Sequence, residues 1–160
     1  MKKNLIILVG VLIAIDQVSK WFASNNLPFH QAVDVIPYFS LYLTHNKGIA
    51  FSLLEGLGNA GLIGMTLLIT IFMIYLWRRV PSHQQLASLG FALVISGAIG
   101  NLIDRATAGY VIDFFLFHTS SWAFAVFNIA DSFITLGAIA IIAEELAILR
   151  PKSQNSNSDS

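Results

Sequence analysis

The chain has no cysteine among its 160 residues. That excludes disulfides, thiol nucleophiles and thiolate metal sites together. Charge is scarce as well: Asp, Glu, Lys and Arg make up 11%, where soluble domains carry about 25%. Nine basic residues cancel nine acidic ones, so there is no basic face for a nucleic-acid backbone. No Gly-rich phosphate loop occurs, and His30, His45, His83 and His118 stand at no metal-ligand spacing. Ser120 and Ser121 near His118 have no motif framing them as nucleophiles. What is abundant is apolar: 56% hydrophobic residues and a mean hydropathy of +0.70. A soluble globule of this size would expose too much apolar surface to stay dissolved. The composition is that of an integral membrane protein.

A helix needs roughly 20 mostly apolar residues to cross the hydrocarbon core. Four stretches qualify: 4–23, 60–77, 86–103 and 122–143. Lipid leaves an isolated segment no other way to satisfy its backbone. The fold class expected is therefore all-α, with four transmembrane helices. Lys2 and Lys3 precede the first stretch, but no A-x-A site follows, so a cleaved leader is not the reading. Lys2, Lys3, Arg78, Arg79, Arg150 and Lys152 fall at the N-terminus, the second loop and the C-terminus, and Lys20, Lys47 and Arg105 toward the other side. That bias places both termini in the cytoplasm and residues 24–59 and 104–121 outside. The first of these loops is dense in β-branched and aromatic residues from Val33 to Leu43. It reads as a small extracytoplasmic β-cradle. Residues 1–150 form one membrane-embedded domain, and the polar stretch 151–160 a disordered tail.

Ionisable and amide groups at membrane depth are costly, and by default they mark function. Here they are Asp16, Lys20, Asn101, Asp104, Arg105, Asn128 and Asp131, with Asp113 in an apolar loop run. All fall toward the outer leaflet. A helix starting at Trp122 would bury Asp131 roughly 13 Å below its outer end. Asp16 and Lys20 are one turn apart and can form an ion pair. Ala92, Ser96 and Gly100 make a small-residue stripe that admits a neighbouring helix. Asp113 and Asp131 have no local cation. Two readings stand on spacing alone. The two acids meet and share a proton, as water-mediated amide hydrolysis requires, or they are unrelated, one a bundle hydrogen bond and one a loop acid.

Five blocks resemble a known family. Asp16-Gln17-Val18-Ser19-Lys20 is similar to the D-x-x-x-K motif of the lipoprotein signal peptidases, the type II signal peptidases of bacteria. Asn46-Lys47-Gly48-Ile49-Ala50-Phe51 resembles their N-x-G-x-A-F block, and Gly100-Asn101-Leu102-Ile103-Asp104-Arg105 their G-N-x-x-D-R block. Val111-Ile112-Asp113-Phe114 and Phe127-Asn128-Ile129-Ala130-Asp131 resemble the segments that carry their two catalytic aspartates. Ile49 stands where a smaller residue is expected.

The resemblance implies an intramembrane aspartyl endopeptidase of the bacterial inner membrane. Its partners would be diacylglyceryl-modified prolipoproteins, cut just before the lipid-bearing cysteine, with membrane lipid around it. The antibiotic globomycin would inhibit it, and no cofactor, metal or nucleic acid is implied. By carry-over Asp113 and Asp131 are catalytic. Asn46, Gly48, Asn101, Arg105 and Asn128 support the site or bind substrate, and Asp16 and Lys20 brace the first helix. The competing class is a transporter or proton conductor, which would spread polar groups through both leaflets. A structural membrane subunit would leave the outer cluster unexplained.

Overall fold

The computed structural model describes residues 2–48 and 58–149. The block residues Ile49, Ala50 and Phe51 and the expected tail lie outside these. The elements run α1 (Lys2–Asn26), β1 (Ala32–Ile36), β2 (Phe39–Asn46), α2 (Gly58–Arg79), α3 (Gln85–Thr107), β3 (Val111–Phe117) and α4 (Ile129–Leu149). The four helices are each long and apolar enough to cross a membrane. This is a multi-pass membrane protein.

α3 is the central helix and packs against the other three. Its contact with α4 is backbone on backbone. A Cβ at Gly97 would strike the Ala130 carbonyl, and one at Gly90 the Gly137 carbonyl. Of the small residues singled out in the sequence, Gly100 also approaches Ala130 of α4. Gly100 meets the Asp16 carboxylate of α1, and Ala92 joins Trp77, Phe91 and Ile95 in a cluster that Leu5 and Val9 of α1 cover. Without water to drive helices together, such close approach supplies the packing that holds a bundle in lipid.

Above the helices lies a three-stranded antiparallel sheet in the order β1-β2-β3. β2 is central: Ser40 pairs with Asp34 of β1, and Thr44 with Asp113 of β3. Ala23, Leu43 and Phe114 form a second apolar cluster beneath the sheet. Along α1 the two clusters are separated by a polar layer containing Asp16 and Lys20, which are 0% and 1% exposed.

The fourth span differs from expectation. Residues 122–128 are not helical, and α4 begins at Ile129. The cause is pairing with β3: Phe127 exchanges backbone hydrogen bonds with Phe115, and its ring packs on Phe115 and Phe117. Asp131 therefore lies in the first turn of α4, not deep along it.

Candidate active site

Asn128 caps α4. Its Oδ1 accepts the N–H of Asp131 at 2.9 Å, and Asp131 Oδ2 accepts the N–H of Asn128 at 3.3 Å. This is a reciprocal capping box with Asp in the acidic position. The positive end of the helix favours a carboxylate there. Asp113 arrives from the other direction, on β3. Its Oδ1 accepts from Asn128 Nδ2 at 2.7 Å and its Oδ2 from Asn46 Nδ2 at 3.0 Å. One asparagine thus holds both acids, Asp113 by its side chain and Asp131 by its backbone. Asn46 ends β2, and its own oxygen accepts the Gly48 N–H at 2.8 Å, which fixes which way its amide points. Gly48 has φ +88, and a Cβ there would run into Leu62, so only glycine fits the turn without strain.

Asp113 is 1% exposed. Burial pushes its carboxyl up to about 6, and the nearby Asp131 charge adds to the rise, while the Asn46 and Asn128 amides oppose it. Of the two arrangements that spacing left open, unrelated acids or a pair, the structure has both acids hydrogen-bonded to Asn128 and close enough for the Asp131 charge to act on Asp113.

A third amide completes the layer. Asn101 Nδ2 donates to Asp131 Oδ1 at 2.8 Å. Its oxygen accepts from Asn128 Nδ2 at 3.2 Å and from Lys20 Nζ at 2.9 Å. Lys20 also pairs with Asp16 at 2.9 Å, as expected, and with Asp104 at 2.9 Å. The role of Asp104 was missed, and so was that of Gln17, whose Nε2 donates to Asp104 Oδ1 at 3.0 Å and to Asp16 Oδ2 at 3.1 Å. Both residues stand inside the motif blocks, but nothing in helical spacing pairs α1 with α3.

Asp131, Asn101, Arg105 and Asn46 form the polar end of a groove of about 640 Å³ between α2, α3 and α4. Its remaining walls are almost wholly apolar, among them Met65, Ile69, Val94, Ile134 and Ile141. The groove follows α4 from Asp131 to Ile142, roughly 16 Å of helix. Asn128 is fully buried and supports the dyad from behind; it is not on the groove wall. Arg105 presents a buried Nε with no hydrogen-bond partner among the described residues. A larger apolar groove, about 710 Å³, lies between α1 and the sheet and holds none of the expected site residues.

One carboxylate on the wall of an apolar membrane groove, with a second buried behind it on a shared asparagine, suits hydrolysis of a hydrophobic peptide. Residues 8–147 match the family model for signal peptidase (SPase) II. The chain belongs to the signal peptidase II family. The lipoprotein signal peptidase of Sinorhizobium fredii (strain NBRC 101917 / NGR234) is 52% identical over 136 residues, 85% of this chain and 82% of that one. That of Mesorhizobium japonicum (strain LMG 29417 / CECT 9101 / MAFF 303099) is 46% identical over 149 residues, 93% and 89% of the two chains. A solved structure, described as a bacterial membrane enzyme determined by the in meso method at 1.9 Å resolution, is similar with a TM-score of 0.80. It is 29% identical, and the match covers 92% of this chain and 94% of the other. The chain is thus a membrane-embedded peptidase.

Proposed function

We propose that this protein is an intramembrane aspartyl endopeptidase that removes the signal peptide from diacylglyceryl-modified prolipoproteins, cutting just before the lipid-bearing cysteine. The observation that carries the reading is that Asp131, at the polar end of an apolar groove, shares Asn128 with the buried Asp113 behind it. The groove receives the apolar signal peptide, and the scissile carbonyl comes to rest at its mouth.

In that pose Asp131, on the groove wall, is the base, and Asp113, the carboxyl raised by burial, carries the proton. Water attacks the carbonyl carbon. One of its protons passes to Asp131, while Asp113 protonates the carbonyl oxygen. The tetrahedral diol then collapses as the C–N bond breaks. The leaving nitrogen takes the proton held by Asp131, and a hydroxyl returns its proton to Asp113. Both carboxyls end as they began. Arg105 and Asn46, both on the groove wall, would orient substrate carbonyls. Globomycin is expected to occupy the same groove and exclude substrate. The enzyme works in the bacterial inner membrane with its termini in the cytoplasm and the dyad toward the outer side.

The test is cleavage of a purified diacylglyceryl prolipoprotein by purified protein in detergent, read by mass. The expected product is the lipid-bearing cysteine at a new N-terminus, with the unmodified precursor left intact. Asp113→Asn and Asp131→Asn release nothing while remaining folded, since an amide neither accepts nor returns the proton. Near wild-type turnover in either variant would overturn the dyad.

A further inference from the structure

The ammonium of Lys20 has three N–H groups and no acceptor. All three are used, on Asp16 Oδ2, Asp104 Oδ2 and Asn101 Oδ1, each at 2.9 Å. The two carboxylates reach further. Asp16 Oδ1 accepts the N–H of Ala130 at 3.0 Å, the residue before Asp131. Asp104 Oδ2 accepts the N–H of Ile112 at 3.2 Å, the residue before Asp113. Each buried carboxylate outside the dyad thus grips the peptide group next to a dyad aspartate, and Lys20 joins the two grips.

Its third bond does something more. A carboxamide is nearly symmetric in shape, so its neighbours decide which end faces which way. Asn101 lies between Lys20 and Asp131. Lys20 can only donate, so the Asn101 oxygen must face it, and the Asn128 amide adds a second donor to that oxygen. The Asn101 nitrogen is left facing Asp131 Oδ1. Turned the other way, the amide would set its oxygen against the Asp131 carboxylate, two acceptors with no hydrogen between them.

We infer that Lys20 is a positioning residue for the dyad, acting through Asn101: it holds the carboxamide in the one direction that gives Asp131 a hydrogen-bond donor and so keeps Asp131 as the ionised base. This rests on the peptidase reading above and adds a task to Lys20 beyond bracing α1. Among the described residues, the charged groups around the layer are Asp16 and Lys20 on α1, Asp104 and Arg105 on α3 and Asp113 on β3. Lys20 is the one among them that bonds the amide in contact with Asp131.

The experiment measures kcat and KM against pH for prolipoprotein cleavage in detergent by wild type, Lys20→Met, Asn101→Ala and the double variant, each corrected for its folded fraction. For Lys20→Met we expect kcat to fall about tenfold with KM held, and the acid-side limb of kcat/KM to move up by about one pH unit, the shift that accompanies a tenfold ratio. Asn101→Ala should move the limb likewise, and adding Lys20→Met to it should move it no further. Should Lys20→Met fold poorly, Asp16→Asn with Lys20→Met removes both charges of the pair and should give the same shift. A pH profile for the Lys20 variants that superimposes on wild type would make Lys20 purely structural and overturn the inference. So would shifts that add in the double variant, which would mean that Lys20 acts by its charge and not through Asn101. Wild-type protein that cleaves nothing would instead overturn the peptidase reading itself.

Discussion

Burial works against Asp113 as an anion and in favour of it as an acid. Its carboxyl stands at about 6 in the folded protein against an ordinary 3.8, because the site is dry and Asp131 lies beside it. The same shift acts on stability. Below 3.8 the group is protonated in both states and folding is not penalised; as pH rises through about 6 the folded protein must give up a proton that the unfolded chain has already lost. Stability from this group is thus fully present below 3.8 and lost as pH rises to about 6, by on the order of 3 kcal/mol. Melting in detergent across about pH 4 to about pH 8 should show wild type losing more stability than Asp113→Asn over this range. Parallel curves would mean that Asp113 does not titrate there. The acids and amides themselves were legible in the sequence, because a polar side chain in an apolar run stands out. Their partners were not. The i,i+4 spacing gives Lys20 its bond to Asp16, whereas its bonds to Asp104 and Asn101 depend on where α3 packs.

Elements set where these residues stand, and here local and tertiary signals diverge. Apolar length alone would start the fourth helix at Trp122, but the aromatic residues before Asn128 pack along β3 instead. The true start was written in the chain as Asn128-Ile129-Ala130-Asp131, an N-cap residue followed three positions later by an acid. β3 itself was read as a loop run, because a strand of Val111–Phe117 has no use until β2 is beside it. The site depends on this geometry, since α4 must begin level with Asp113 for Asn128 to reach both acids. The α3 backbone contact nearest the start of α4 is Gly97 against the Ala130 backbone. Gly97→Leu should displace the first turn of α4 and cost about 3 kcal/mol or more, as overpacking does when backbone has to move. Cleavage should be lost along with it. Gly10→Leu on α1, where a side chain meets open space, should leave melting and turnover near wild type. Equal effects of the two substitutions would mean that α3 and α4 do not pack through Gly97.

At the scale of the whole molecule the question is which way the bundle faces, and the proposed orientation rests on charge placement, which the fold sharpens. Counting residues along the chain sets six cations on one side against Lys20, Lys47 and Arg105 on the other. Two of those three are not loop charges. Lys20 is buried against two carboxylates, and Arg105 lines the groove beside Asp131. Only Lys47 is exposed on that side, and exposed basic residues in short loops are what orient a membrane protein. The buried polar layer reads the same way: it lies at the sheet end of the bundle, while the buried polar residues farther along α2 and α3 are the uncharged Thr70, Ser88 and Ser96. A proton conductor would need such groups through both halves. Reporter fusions at Ser82 and after Leu149 should therefore read cytoplasmic, and one at Thr119 extracytoplasmic. Lys47→Glu should leave the orientation unchanged, whereas Arg78→Ser with Arg79→Ser should weaken it and yield a mixed population. A cytoplasmic reading at Thr119 in the wild-type chain would put the dyad on the side where no translocated precursor presents its cleavage site, and would overturn the proposed orientation and substrate together.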